Sequence, residues 1–182
     1  AEDASAIAAG ALLENDWDVP FALFYLLDRD GRRATLASSV GFDIKGLSAV
    51  PRQLDLSDPD APWPLSRILS GGPSTLINDL HRRLPEAPAG RWSRPPHAAV
   101  ALPLSAPEQS HAYGVLICGV SPHRLLDESY LGFFELAAQQ VVSAIRNARA
   151  LQEERLRAEE LAKLDRTKTA FFSNVSHEFR TP

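Results

Sequence analysis

The residues best equipped for chemistry stand together near the end of the chain: Ser176-His177-Glu178-Phe179-Arg180-Thr181-Pro182. A neutral imidazole, with an ordinary pKa near 6.5, is a competent nucleophile at cell pH. Glu178 is the next residue, and its carboxylate can take a proton or hydrogen bond from the ring and so raise the nucleophilicity of the other nitrogen. Thr181 follows His177 by four residues and shares its face of a helix. The helix itself is implied by Phe171, Phe172, Val175 and Phe179, whose three- and four-residue spacings form one apolar stripe with His177 at its polar margin. Pro182 has no N–H and clashes with the carbonyl of Glu178, so a bend is expected just past the site. The plainer alternative is a lone exposed histidine on a helix.

This segment, Lys168 to Pro182 with its core of seven consecutive matching positions, resembles the phosphoacceptor box of sensor histidine kinases. The resemblance implies that His177 receives phosphate from ATP, that Glu178 is the proton acceptor and that Thr181 positions water for dephosphorylation. It also implies a homodimer, a response-regulator receiver domain as phosphate acceptor, and a separate ATP-binding domain that brings ATP and Mg. No phosphate-binding glycine loop occurs in this chain. The chain therefore reads as a piece of a longer kinase, starting at Ala1 and cut inside the phosphoacceptor helix, and on its own it is expected neither to bind nor to hydrolyse ATP.

The elements ahead of the box must position it. Residues 146–168 mix seven basic and five acidic side chains with Leu151, Leu156, Leu161 and Leu164. Glu153/Arg157 and Glu159/Lys163 are favourable i,i+4 pairs. A solvated single helix is one reading; a parallel two-stranded coiled coil, dimerising through residues 141–180, is the expectation. Leu161, Leu164, Lys168, Phe171 and Val175 hold a regular three–four alternation. Ile145 is two residues out of that phase, so a change of packing register is expected around Leu151–Leu156.

Upstream, residues 3–14 suggest a short amphipathic helix. Phe21 to Leu27 is a nearly all-apolar strand, expected to be central and covered on both faces. Asp28-Arg-Asp-Gly31 turns it into a return strand from Arg33 to Val40. Residues 41–62 read as irregular, Trp63 to Leu69 as a short helix, Ser74 to Ile77 as a strand, and 80–96 as a second long loop. Ala98 to Leu104 and Ala112 to Val120 are two more strands. From Asp127 a long helix begins, with Leu131, Phe134, Leu136, Ala138, Val141, Val142 and Ile145 as its inward set.

That order gives an α+β domain, an antiparallel sheet flanked by helices and followed by a long C-terminal coiled-coil helix. Residues Asp18 to Gly31 with their return strand, together with Ala99-Val-Ala-Leu-Pro-Leu104 and Tyr113-Gly-Val-Leu-Ile117, resemble the GAF family of sensory domains. The Pro-interrupted middle and the strand pair leading into a long helix favour GAF over PAS. The division expected is a GAF-like sensor over 1–145, a signalling helix over 146–167 and the start of the phosphoacceptor helix over 168–182.

GAF domains hold cyclic nucleotides, bilins, haem, small metabolites or nothing. The sequence leaves the sensor's cofactor unknown and a small-molecule ligand open. Phe42, Trp63, Trp92 and Tyr113 are candidates to line an apolar pocket under the two long loops, with core packing as the alternative. Cys118 sits in an apolar strand and reads as a structural thiol. His81, His97, His111 and His123 are scattered over loops and strand edges, and Asp55, Asp58 and Asp60 lack the glycine and terminal glutamate of a calcium loop, so no metal site is assigned.

Formal charge is −6 over residues 1–143 and +2 over 144–182, which argues against nucleic acid as a partner of the sensor half. One cysteine rules out an intrachain disulfide and fits a reducing, cytoplasmic compartment. No apolar run approaches the roughly 18 residues of a membrane span, although an anchor upstream in the parent stays open. A second reading from another class is a GAF binding and dimerisation module without any phosphotransfer role.

Overall fold

The computed structural model describes residues 18–28, 30–43, 48, 50–70, 72–91, 94–106 and 112–179, with side chains described as far as Lys168. The expected helix over 3–14, Trp92, His111, Thr181 and Pro182 lie outside the described residues. The chain divides into two units, residues 1–145 and 146–182.

The first unit is built on one antiparallel sheet of six strands: β1 (Ala22–Leu27), β2 (Arg33–Val40), β3 (Gln53–Asp55), β4 (Thr75–Ile77), β5 (Ala99–Leu104) and β6 (Gly114–Gly119). Their spatial order is β3-β2-β1-β6-β5-β4. The all-apolar β1 is central, as its composition requires, paired with β2 from Ala22↔Val40 and with β6 from Ala22↔Cys118. Period-2 alternation sends Ala22 and Phe24 to one face and Phe21, Leu23 and Tyr25 to the other. The β1–β2 ladder shifts between Phe24 and Tyr25, which partner Ser38 and Leu36, so Ala37 is the extra residue of a bulge.

One face is covered by the start of helix α3 (Glu128–Phe179), after α1 (Leu65–Ser70) and α2 (Leu80–Arg83) in chain order. Tyr130, Phe134, Ala138, Val141, Val142 and Ile145 of α3 pack on Val100, Leu102, Leu116 and Cys118 of the sheet. Asp127 caps this helix, its carboxylate accepting the N–H of Tyr130 at 2.8 Å. The opposite face is covered by α1, α2 and the segments between them, which insert Trp63, Leu65, Ile68, Leu80 and Leu84. Small residues beneath them, Ala99 and Ala101 of β5, leave room for these large side chains. Tyr25 fastens the covering loop by donating its hydroxyl to Pro51 O at 2.9 Å.

Four expectations change. Residues 41–62 contain a strand, β3, which pairs with β2 at Ala34↔Leu54. A three-residue edge strand is too short for a period to show in sequence. The loop over 80–96 opens with the four-residue helix α2, held by Arg83, which bonds Asp79 Oδ1 at 2.7 Å and Pro62 O at 2.8 Å. The short helix spans Leu65–Ser70 rather than 63–69, leaving Trp63 ahead of it as a buried plug. Leu136, counted among the inward set of the long helix, is 56% exposed. It sits two residues from both Phe134 and Ala138, which is half a turn from the buried stripe.

Candidate functional site

The segment around His177 and the first unit present different kinds of site. Helix α3 runs without a break through His177 and Glu178 to Phe179, so the motif's backbone is helical as far as Phe179, as the phenylalanine stripe implies. Between Arg146 and Lys168 no described side chain is buried. Leu151, Leu156, Leu161 and Leu164 are 50–67% exposed. Glu153 and Arg157 pair at 3.7 Å, one of the two i,i+4 pairs read from sequence.

In the first unit, the three described pocket candidates, Phe42, Trp63 and Tyr113, do not converge. Trp63, only 1% exposed, belongs to the cluster under α1 and α2, and Phe42 packs at its margin, edge-on to Phe21 at 5.4 Å. Tyr113 belongs to the cluster on the other face, under α3. It stands just before β6, where pairing slips: its N–H bonds Leu104 O, although the register partner of Leu104 is Gly114. That slip removes Tyr113 from the alternation of β6. Burial pushes the Tyr25 hydroxyl well above the ordinary tyrosine range, and the nearby Trp63 indole acts against it. Among the described residues the indole N–H makes no well-formed hydrogen bond.

The polar candidates behave as local structure. Asp55 accepts both the N–H and the hydroxyl of Ser57, at 2.9 and 2.6 Å, and these bonds hold its carboxyl below the usual range. Asp58 accepts the N–H of Asp60 at 2.9 Å in a second turn of the same kind. His81, His97 and His123 are exposed. Cys118 is buried in β6, and burial pushes its thiol up to about 12, so it is not a thiolate at neutral pH.

Two arrangements have no counterpart in the sequence reading. Where α3 begins, the Tyr130 hydroxyl donates to the Asp18 carbonyl and accepts the Ser121 N–H at 3.1 Å. Arg124 lies over the Tyr130 ring at 4.5 Å and bonds the Asp18 carboxylate at 3.2 Å. Desolvation raises the Tyr130 pKa, with the Ser121 N–H acting against it. This knot ties the entry of β1 to the first turn of the long helix. The second arrangement is a cleft of 460 Å³ on the α3 side of the sheet, between the α1–β4 turn, the end of β5 and the helix residues Glu135, Ala138, Gln139 and Val142. The only hint in the sequence is that those four residues share a three–four spacing on one helix face.

The family model for the GAF domain matches residues 2–146. No curated protein matches. Among solved structures, residues 122 to 287 of a methyl-accepting chemotaxis protein superpose with a TM-score of 0.60 at 16% identity, covering 83% of this chain and 93% of that one. The second GAF domain of DevS from Mycobacterium smegmatis gives 0.58 at 16%, covering 84% and 97%. A domain of a putative two-component sensor histidine kinase protein from Sinorhizobium meliloti 1021 gives 0.54 at 19%, covering 85% and 96%. No helix among the described residues is long and apolar enough to cross a membrane. With its sheet order, its two-sided core and the family match over residues 2–146, the chain belongs to the GAF domain family.

Proposed function

We propose that this chain is the sensory and phosphoacceptor part of a cytoplasmic two-component sensor histidine kinase, in which the GAF domain acts on His177 through a dimeric helix. The observation that carries the reading is the sequence run Ser176 to Pro182, whose described part, to Phe179, belongs to the helix whose start covers the GAF sheet. The similarity in fold to a domain of a putative sensor histidine kinase protein is in keeping with it.

In the proposed step, an imidazole nitrogen of His177 attacks the γ-phosphorus of ATP. An N–P bond forms, the bond from γ-phosphorus to the bridging oxygen breaks, and ADP leaves. Glu178 takes the proton from the other ring nitrogen and so keeps the attacking nitrogen electron-rich. The phosphoryl group then passes to an aspartate of a receiver domain, while Thr181 positions water for the competing hydrolysis. ATP and Mg arrive with the catalytic domain of the parent protein. A second copy of the chain covers Leu156, Leu161 and Leu164, which lie toward one side of the helix and are costly to leave exposed, while Leu151 falls outside that sector, where the change of packing register is expected.

Incubated with ATP and the catalytic domain of its parent, the chain should gain one acid-labile, alkali-stable phosphate per copy. His177→Gln should abolish labelling. Glu178→Gln should slow it by roughly 10²–10⁴. Thr181→Ala should leave labelling intact and slow dephosphorylation. Light scattering should report a dimer that Leu161→Asp converts to a monomer. Undiminished labelling of His177→Gln overturns the assignment, and a monomeric parent chain overturns the dimer.

A further inference from the structure

We propose that the cleft between the α1–β4 turn, the end of β5 and α3 binds a small organic ammonium compound, its charge on Glu135 and its carbon skeleton against Leu69, Leu102 and Val142. The cleft lies on the α3 side of the sheet, the face opposite to the aromatic plug of Trp63.

The cleft exists because two prolines meet in register. β4 pairs with β5 at Thr75↔Ala101 and Ile77↔Ala99, so the next rung toward the cleft falls between Pro73 and Pro103. Val120 N–H bonds Ala98 O, which assigns the backbone groups of 98, 100 and 102 to β6 and those of 99, 101 and 103 to the β4 side. The rung at 73 and 103 would need an N–H from each residue, and proline has none. The ladder therefore stops, and the chain leaves the sheet edge through Gly72, whose φ of +101° is open to glycine at little cost. Neither proline can donate to the other's carbonyl, so this rung carries no backbone hydrogen bond.

The lining is rich in acceptors and carries one formal charge. Besides Pro73 and Pro103 it includes the polar residues Glu135, Gln139, Ser70 and Ser105; no lysine or arginine is among the described residues that line it. Ser74 Oγ reaches Glu135 Oε1 at 3.5 Å, which steadies the carboxylate. An ionised carboxylate has about four acceptor positions, so this bond leaves capacity for an ammonium group. A cavity of 460 Å³ falls in the range of small-molecule sites and suits an amine with a short aliphatic body. Carboxylates and phosphates are disfavoured by Glu135.

Binding does not depend on the phosphotransfer reading, but its consequence does. Glu135, Ala138, Gln139 and Val142 are consecutive contacts on one face of α3, so an occupant touches the helix proposed to carry the signal.

Calorimetric titration of the whole chain with n-butylammonium chloride tests the proposal, with n-butanol and sodium butyrate as neutral and anionic counterparts. One saturable site per chain is expected for the amine in the millimolar range, with the alcohol and the carboxylate weaker by about tenfold or more. Glu135→Gln should weaken the amine by about tenfold without lowering the thermal midpoint, since its partner Ser74 can bond the amide. Amide shifts on titration should cluster at Ser70, Leu102, Ser105 and Gln139. Absence of saturable amine binding, equal binding of the alcohol, unchanged affinity in Glu135→Gln, or shifts centred elsewhere would each overturn the proposal.

Discussion

Helix α3 begins with Tyr130, Phe134, Val141 and Ile145 nearly inaccessible, yet from Arg146 to Lys168 not one described side chain is buried. The backbone is the same α-helix in both regions, and the apolar residues are of similar kinds. The difference lies in what stands opposite. In the first region the sheet supplies Val100, Leu102, Leu116 and Cys118 as a facing surface; in the second no described residue of the chain covers the leucines. Helical stability in proteins comes mainly from packing an amphipathic face rather than from intrinsic propensity. The second region is therefore the part whose stability should depend on a second molecule, and the first the part that should hold alone.

The strongest test of that contrast is a matched pair of truncations. Phe134→Ala should destabilise the GAF unit by about 3–5 kcal/mol, the usual cost of emptying a buried aromatic site. Leu161→Ala should leave the thermal midpoint of that unit unchanged while weakening self-association. Equal losses from both variants would break the comparison, because they would mean that the outer helix folds as part of the same core.

A smaller effect is expected where the two regimes meet the rest of the sheet. Tyr130→Phe keeps the ring that packs, tilted, on Phe134 at 4.7 Å and removes the hydroxyl shared by the Asp18 carbonyl and the Ser121 N–H. Urea denaturation should show a loss of about 1–2 kcal/mol from two buried backbone groups left without that partner. No measurable loss would mean that the hydroxyl does not tie β1 to the helix start. The smallest effect belongs to the exposed pair on the outer helix. Arg157→Ala should produce only a slight drop in helical ellipticity, and that drop should vanish in high salt, where exposed charges are screened. A large or salt-independent loss would show that Arg157 packs against something as well as pairing with Glu153.

Much of the molecule was legible residue by residue. The central position of β1 follows from a strand apolar on both sides, the return strand from Asp-Gly chemistry at the turn, and the helix at the end of the chain from three–four spacing. Each of these signals is local, set by backbone geometry over a few neighbours. The motif around His177 is likewise a property of contiguous residues, and a helical backbone there agrees with it.

What the chain's order alone did not reveal depends on partners distant in sequence. β3 is recognisable only once β2 is beside it, and Leu136 faces outward because the sheet meets the helix along the stripe of Phe134 and Ala138. Trp63 and Tyr113 looked like two walls of one pocket, but the slip at Leu104 and Gly114 puts the sheet between them. The cleft by Glu135 needs Pro73 and Pro103 to fall on the same rung, which depends on the register of β4 against β5. Amino-acid type and spacing determined which elements form and which side chains can do chemistry. Register and the facing surface decided which of them meet, because a shift of one residue in pairing would send each strand side chain to the other face.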